Sequence, residues 1–144
     1  MTAVLNCLAE AFAPYRDNYT AEAFLDTVLS AETINHRMKS MRIFVAEDPT
    51  SGVIVGTVAC NLVSSEEGHL RGMAVLSSFQ GAGIAQQLLE RAEAELVAQK
   101  CTRITLDTTE PLQRAIGFYR KNGFRPSGRV TDFFGMPLYE YVKP

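Results

Sequence analysis

Hydrophobic residues recur at the three- and four-residue spacing of a helix face in the first part of the chain. The first such stretch ends at Pro14 and carries Val4, Leu5, Leu8 and Phe12. A second stretch follows Thr20, a residue type that caps helix N-termini, and carries Phe24, Leu25, Val28 and Leu29. We therefore expect two amphipathic helices at the start of the chain.

The spacing then changes: β-branched runs at 41–47 and 53–63 predict two strands, and 69–75 is predicted to be a third. The connections 48–52 and 64–68 are short and rich in residues that favour turns. Because short connections join antiparallel strands, the three segments are predicted to form an antiparallel meander. The middle segment is apolar almost throughout, which indicates that both of its faces are covered.

A helical pattern returns after residue 83, with apolar residues at Ile84, Leu88, Leu89, Ala92 and Leu96. This helix connects 69–75 to a fourth strand, 103–107, so a right-handed crossover and a parallel pair are predicted. A last helix is expected from near Pro111 to Gly123. Two closing strands, which would form a hairpin, are predicted near 124–129 and 136–142. The fold class is therefore α/β, with a mixed, mainly antiparallel sheet.

Composition narrows the class of protein. The 144 residues are 47% hydrophobic, with 14 basic and 16 acidic residues and a net charge of -2. These values favour one globular domain over 1–144 and give no basic surface for nucleic acid or a membrane. The sequence contains neither a signal-like leader nor an apolar run of spanning length, so a soluble cytoplasmic protein is expected.

Neither a disulfide framework nor a metal site is predicted. Cys7, Cys60 and Cys101 lie far apart without CxxC spacing and are expected to be small buried hydrophobic residues. The two histidines, His36 and His69, lack acidic partners at ligand spacing.

Two glycines, Gly81 and Gly83, open the predicted helix after 69–75, although glycine is a poor helix former. The first amide groups of a helix lack intrahelical partners and carry partial positive charge, so they can bind an anion such as a phosphate. The residues around this turn, Ser77, Ser78, Gln80, Gln86 and Gln87, include no carboxylate that would compete for the amides. The alternative is a tight turn that needs glycine only for close packing of helix against sheet.

Two other phosphate-binding families fit this stretch less well. The ATPase loop needs a lysine, and no lysine lies between Lys39 and Lys100. The dinucleotide pattern GxGxxG has glutamine, Gln86, at its last position, although Asp107 ends the next strand where a ribose-binding acid would lie. An antiparallel meander before the glycines also argues against that fold.

The stretch Gln80-Gly81-Ala82-Gly83-Ile84-Ala85 matches the pattern Q/R-x-x-G-x-G/A and resembles that of the GNAT superfamily of acyl-CoA-dependent N-acyltransferases. The longer run RGMAVLSSFQGAGIAQQLLERAEAEL resembles that family's strand, pyrophosphate loop and helix, and LQRAIGFYRKNGF resembles its later motif. The resemblance covers 41–142 well and the first 40 residues loosely. The family usually begins with a strand before its first helix, and that strand is expected to be missing, shortened or outside this sequence.

The resemblance implies a single acetyltransferase domain with helices on both faces of the sheet, in which 69–75 and 103–107 splay apart. It implies acetyl-CoA as the acetyl donor, with the pyrophosphate on 80–85. The strand backbone that would pair with the pantetheine arm belongs to Met73, Ala74 and Val75.

The resemblance also gives roles to two side chains. Tyr119 matches the tyrosine that protonates the departing sulfur, although its helical spacing equally suits a buried core tyrosine. His69 begins the third strand where several members carry a glutamate base, and its alternative is a solvated histidine at a strand end. Glu66 and Glu67 are neighbouring candidates. At pH 7 a lysine-like amine needs about 4.6 kcal/mol to lose its proton, whereas an α-amine needs about 1.

The expected acceptor is therefore a primary amine, on a small molecule or a peptide, and a homodimer is also conceivable. Two segments were candidates for its pocket, APYRDNY and GRVTDFFGMP. A cationic amine would suit Tyr15, Tyr19, Phe133 and Phe134 with Asp17 and Asp132, whereas a carboxylate would suit Arg16, Arg125 and Arg129. A catalytically silent module that binds acyl-CoA as a sensor is the alternative function on the same scaffold.

Overall fold

The computed structural model describes residues 2–144, and Met1, the first residue of the predicted domain, lies outside this range. The helices are α1 (Thr2–Phe12), α2 (Ala21–Thr27), α3 (Ala31–Ser40), α4 (Ile84–Ala98) and α5 (Gln113–Lys121). The strands are β1 (Arg42–Glu47), β2 (Ile54–Leu62), β3 (Glu67–Val75), β4 (Arg103–Thr108), β5 (Arg125–Phe133) and β6 (Met136–Lys143). The described chain thus begins with helices, and β1 is its first strand.

Both predicted N-terminal helices are confirmed, and α3 is an addition that the sequence pattern did not predict. Thr20 caps α2 by accepting a hydrogen bond from the amide of Ala23. Ser30 caps α3 through a capping box in which Thr33 bonds back to the Ser30 amide. The usual capping box carries glutamate or glutamine at that position, so the signal was easily missed.

All six strands belong to one sheet in the order β1-β2-β3-β4-β6-β5. The β1–β2–β3 meander and the β5–β6 hairpin are antiparallel, as predicted, and β3 and β4 form the predicted parallel pair. The hairpin register shifts between Pro126 and Val130. The strand β5 also runs further than expected, because its pairing with β6 resumes after that shift.

The strand β3 contains a bulge that redirects its second half. Thr57 of β2 pairs with Ala74, whereas Ala59 pairs with Arg71, so β3 has one additional residue between these pairs. Gly72 lies in this stretch with a φ of +65°, a conformation that favours glycine. Beyond the bulge, the alternation of side chains is therefore shifted by one residue, so each side chain points to the face opposite to the one that it would otherwise reach.

The parallel pairing of β3 with β4 is short. It runs from Glu67 with Arg103 to Leu70 with Leu106 and then stops. Residues 71–75 of β3 consequently have no strand neighbour on that side, which is the splayed geometry that the family resemblance implied.

Helices cover both faces of the sheet. The α4 side chains Ile84 and Leu88 lie against Gly56 of β2, whereas Cys7 of α1 packs in a cluster with Val55, the next residue along the same strand. Because successive strand residues point to opposite faces, α1 and α4 lie on opposite sides of β2. Cys7 and Cys60 are buried, as expected, and Cys101 is half-buried. Among residues 2–144, no helix combines the length and the apolar composition needed to cross a membrane.

Candidate active site

A cleft of about 400 Å³ lies between the free edge of β3, the start of α4 and one face of α5. We call it the glycine-loop cleft. Its walls include eight of the nine residues predicted to bind a cofactor: Met73, Ala74, Val75, Gln80, Gly81, Gly83, Ile84 and Ala85. The ninth, Ala82, belongs to the same turn but does not line the cleft.

The two glycines of this turn adopt left-handed backbone conformations, with φ of +85° at Gly81 and +82° at Gly83. A Cβ atom added to either would meet nothing within 4 Å. Close packing of helix against sheet therefore does not explain these glycines, whereas the backbone conformation does.

The amide groups of this turn are free to bind a ligand. Within residues 2–144, the amides of Gly81, Ala82 and Gly83 donate no hydrogen bond to the backbone. Gly83 is the N-cap of α4, which has neither a side-chain cap nor an acidic residue in its first turn. The start of α4 is thus a positive, uncompensated helix end that faces an open cleft.

Gln80 connects this turn to the neighbouring strand. Its side-chain amide donates a hydrogen bond of 3.2 Å to the carbonyl oxygen of Val75. The sequence pattern grouped Gln80 with the anion-binding turn, but in this structure its side chain holds the turn against the end of β3.

Two cations on α5 were missed by the sequence reasoning. Arg114 and Lys121 line the glycine-loop cleft on the same side of α5 as Phe118. Arg114 lies four residues before Phe118 and Lys121 three residues after it, and this helical spacing was the signal in the sequence that they share one side of α5. They add positive charge to a cleft that already presents unpaired amides.

A second cavity, of about 390 Å³, adjoins the cleft and contains His69. We call it the histidine cavity. The two share five lining residues: Phe12, Met73, Leu112, Ala115 and Tyr119. Tyr119 is the only one of these with an ionisable side chain, so the junction of the two spaces carries one hydroxyl group.

Tyr119 occupies the core position that its helical spacing predicts. The residue is buried, with 8% of its surface exposed, and the centroid of its ring lies 6.0 Å from that of the Phe124 ring. Burial raises the pKa of its hydroxyl above the ordinary value, and no hydrogen bond to residues 2–144 lowers it. The hydroxyl therefore remains protonated at neutral pH.

His69 is held by both ring nitrogens. Its Nδ1 lies 2.8 Å from the Thr105 hydroxyl, and its Nε2 lies 3.5 Å from Oδ2 of Asp107. Thr105 in turn donates to Glu67 at 3.0 Å, and Glu67 also pairs with Arg103. The side chain of His69 is only 18% exposed, so it is not a solvated histidine at a strand end.

This hydrogen-bond chain selects the tautomer of His69. An ionised Glu67 can only accept, so the single hydroxyl proton of Thr105 is donated to it. Thr105 then accepts from a protonated Nδ1 of His69. In this tautomer Nε2 is the unprotonated nitrogen, 3.5 Å from Oδ2 of Asp107, and it can accept a proton.

Burial disfavours charge on both members of the pair. It lowers the pKa of His69 below its ordinary value, with Asp107 partly opposing the shift. Burial likewise raises the pKa of Asp107, and His69 partly opposes that shift. The imidazole is therefore neutral at pH 7 and next to an acceptor that can stabilise its protonated form.

The predicted aromatic acceptor residues divide between the two spaces. Tyr19, Phe133 and Phe134 line the histidine cavity, and Tyr15 lines the glycine-loop cleft. Tyr19 is fixed there by a 2.7 Å hydrogen bond to Thr109.

The predicted charged acceptor residues do not line the histidine cavity. Asp17 is exposed, and Asp132 accepts a bond from the Gly135 amide. Arg16 lies over the Phe24 ring, Arg125 donates to backbone carbonyls, and Arg129 pairs with Glu140.

Other charged groups take their place. Asp26 of α2, Arg37 of α3 and Arg71 of β3 line the histidine cavity with His69 and Asp107. Asp26 and Arg71 form an ion pair with each other. None of the three was identified from the sequence, since each is brought to the cavity by tertiary packing of a different element.

The arrangement, a helix start with unpaired amides beside a splayed parallel strand pair, agrees with a comparison of the sequence to family models. The model of the acetyltransferase (GNAT) family matches residues 3–124. The chain belongs to this family.

Individual relatives are distant. The N-alpha-acetyltransferase MAK3 of Arabidopsis thaliana is 26% identical over 86 residues, which are 58% of this chain and 45% of that protein. The chain therefore spans less than half the length of this curated relative.

Solved structures of low sequence identity share the fold. PaiA N-acetyltransferase from Thermoplasma acidophilum, solved in complex with coenzyme A, has a TM-score of 0.80 at 16% identity, over 99% of this chain and 91% of that one. A GNAT family acetyltransferase from Elizabethkingia anophelis, solved with acetyl-CoA bound, has a TM-score of 0.64 at 19% identity, over 79% and 82% of the two chains.

Proposed function

We propose that the chain transfers an acetyl group from acetyl-CoA to a primary amine, with both substrates bound at the same time. The observation that carries the proposal is the junction of the glycine-loop cleft with the histidine cavity at Tyr119. A thioester in the cleft and an amine in the cavity would meet beside one hydroxyl group. Binding the reactants together supplies much of the rate of such a reaction without a covalent enzyme intermediate.

The residues of the glycine-loop cleft fit coenzyme A. The unpaired amides of 81–83 suit a pyrophosphate, and Arg114 and Lys121 add cations for its phosphate groups. The free edge of β3 beyond Leu70 suits the amide groups of a pantetheine arm, which can pair as an added strand does. Two structures of the same fold, the PaiA and Elizabethkingia anophelis enzymes, were solved with coenzyme A or acetyl-CoA.

Tyr119 is proposed as the general acid. Acetyl-CoA, when bound, supplies an acetyl thioester, from which attack by an amine displaces the sulfur. Tyr119 lines both spaces, and its hydroxyl retains its proton at neutral pH and forms no hydrogen bond with residues 2–144. It can therefore give its proton to the sulfur as the carbon–sulfur bond breaks.

His69 is proposed as the general base. Its Nε2 lone pair faces the cavity and can take the proton that the amine loses as the carbon–nitrogen bond forms. Asp107, with its Oδ2 atom 3.5 Å from Nε2, stabilises the imidazolium that results. The need for this base depends on the acceptor, since a lysine-like amine costs about 4.6 kcal/mol to deprotonate at pH 7 and an α-amine about 1.

The test is amine-dependent release of free thiol from acetyl-CoA, measured over a panel of primary amines. In Gly83→Asp a carboxylate would face the pyrophosphate, so we expect binding of coenzyme A and thiol release to be lost. Gly128→Asp is the matched control, because Gly128 also has a left-handed φ, of +91°, and open space around it, but lies on β5 away from the cleft.

Two outcomes would contradict the proposal. Full affinity of Gly83→Asp for coenzyme A would show that the cofactor binds elsewhere. Tight binding of acetyl-CoA by the wild type with no thiol release for any amine would favour the silent sensor module.

A further inference from the structure

One cation of the histidine cavity has no partner. The Arg37 residue is buried, with 8% of its surface exposed, and it lines the cavity. Within residues 2–144, its guanidinium takes part in no ion pair, and burial together with the nearby Arg71 lowers its pKa to about 10. At pH 7 the cavity wall therefore holds an uncompensated positive charge, which is unusual for a buried group.

The neighbouring charges do not neutralise Arg37. Asp26 is the nearest acid, but its carboxylate is bonded to Arg71. Asp107 lies beside His69, with its Oδ2 atom 3.5 Å from Nε2, and forms no ion pair with Arg37. Among the charged groups that line the cavity, Arg37 is thus the cation without an ion-pair partner within residues 2–144.

The bulge of β3 fixes the position of Arg37 relative to the cleft. An atom added as Cβ at Gly72 would lie 2.7 Å from a terminal nitrogen of Arg37, so the guanidinium lies against this glycine. Gly72 is followed by Met73, which lines both the cavity and the cleft. The cation is therefore close to the place where the two substrates would meet.

A second polar group in the cavity wall also lacks a partner. Thr108 is 3% exposed, lines the histidine cavity, and its hydroxyl oxygen has no hydrogen bond within residues 2–144. Buried polar atoms are paired in most proteins, so two unpaired polar groups on residues that line one cavity point to a polar ligand there.

Building on the proposed function, we infer that the acceptor is a small amino acid-like molecule, whose carboxylate binds Arg37 while its amine faces Nε2 of His69. The cavity wall carries a positive group, Arg37 against Gly72, and a separate acidic group, Asp107 beside His69. A molecule with a separate amine and carboxylate complements both groups. A cavity of about 390 Å³ is in the size range of small-molecule sites.

The inference distinguishes this acceptor from two others. A polypeptide N-terminus carries an amide where the amino acid has a carboxylate, and it would leave Arg37 unpaired. A polyamine would bring a second positive charge next to the guanidinium. Both are outcomes of the test below.

The experiment compares each amino acid with its own carboxamide, which differs in the charge at one group. The panel contains the L-amino acids and the ω-amino acids from β-alanine to 6-aminohexanoate. Binding is measured by titration calorimetry in the presence of saturating coenzyme A, and acetyl transfer is measured in parallel by thiol release. The variants are Arg37→Met and Thr108→Val, and Arg42→Met, an exposed arginine paired with Glu95, is the control.

We expect at least one carboxylate to bind about tenfold to a hundredfold tighter than its carboxamide, as a charge-assisted hydrogen bond implies. Arg37→Met should abolish this preference, Thr108→Val should reduce it, and Arg42→Met should leave it unchanged. Circular dichroism of each variant verifies that it is folded.

Equal binding of carboxylates and carboxamides, or a preference that survives in Arg37→Met, would overturn the inference. If acetyl transfer is detected but peptide amides or polyamines are preferred, the inference fails and the proposed function stands. If the carboxylate binds through Arg37 but no thiol is released, the binding site is supported and the proposed function fails.

Discussion

At the scale of single residues, Tyr119 shows that a core position and a site position can coincide. Its ring packs against Phe124 and is shielded from water, while its residue lines both the glycine-loop cleft and the histidine cavity. Its hydroxyl is protonated at neutral pH, which is the form that an acid needs. The packing that holds the ring therefore also fixes this residue at the junction of the two spaces.

Replacement of this hydroxyl tests that role. We expect Tyr119→Phe to lower turnover by about 10² or more, the usual contribution of a general acid, because the ring and its packing are retained. The affinity for coenzyme A and the melting temperature should be close to those of the wild type. Turnover at the wild-type rate would remove Tyr119 from the mechanism.

The pH dependence of turnover tests His69. Because burial lowers its pKa, the neutral form that accepts a proton persists below pH 6.5, and kcat at saturating substrates should fall only at lower pH. Asp107 favours the imidazolium and so raises this pKa; Asp107→Asn should therefore move the acid limb to still lower pH. His69→Gln should lower kcat and remove this limb. An acid limb unchanged in both variants would contradict the assignment.

The chain Glu67–Thr105–His69 could not be predicted from the sequence, although Glu67 and His69 were both noted. Glu67 was considered as an alternative base, but it pairs with Arg103 and accepts from Thr105. Thr105 gave no signal, since it lies in an apolar strand. The parallel register, which pairs His69 with Thr105, creates this contact.

At the scale of elements, the turn before α4 depends on backbone conformation rather than on space. Gly83 and Gly117 both have open space for a Cβ atom, but only Gly83 has a left-handed φ. Replacement of glycine by alanine can therefore be compared at two positions that differ in backbone conformation but not in the space around Cβ.

We expect Gly83→Ala to lower the free energy of unfolding by about 1–2 kcal/mol, the cost of the left-handed conformation for a residue with Cβ. Gly117→Ala lies within α5 and should raise it by about 0.5–1 kcal/mol. Urea denaturation with equal m-values measures both. A Gly83→Ala variant as stable as the wild type would show that the turn does not require glycine.

The regular elements were predictable from the sequence because their periodicity is strong. The meander, the crossover helix, the parallel pair and the closing hairpin are all confirmed. The features that were not predicted include α3, in which the buried side chains are Ile34 and Arg37, and the bulge at Gly72. A buried arginine weakens the apolar pattern that would predict α3. The bulge adds one residue to β3, and over so short a strand this leaves the alternation of apolar and polar residues unchanged.

At the scale of the whole molecule, the site lies where two parts of the sheet separate. One part consists of β1, β2 and β3, and the other consists of β4, β6 and β5. The pairing between the two parts, of β3 with β4, ends at Leu70 and Leu106. The glycine-loop cleft is lined by β3 and α4 on one side and by α5 on the other. A ligand in this cleft would connect the two parts.

Binding of coenzyme A should therefore stabilise the whole chain. At a concentration about 100 times its dissociation constant, a ligand adds about 2.7 kcal/mol. For a chain of this size that corresponds to a rise in melting temperature of about 5–11 °C. Hydrogen exchange should slow in 73–75, in 81–85 and in α5 together. Gly83→Asp should show neither effect, and protection restricted to α4 would contradict a ligand that spans the cleft.

The register shift of β5 has a consequence for contact between copies of this chain. An exposed edge strand offers unpaired backbone groups to other molecules, which is a route to aggregation. In β5 the ladder is interrupted between Pro126 and Val130, and Pro126 has no amide hydrogen to donate. A shift of this kind bends an edge strand, and proline removes one donor, so we expect β5 to be a poor template for pairing with a second copy of the chain.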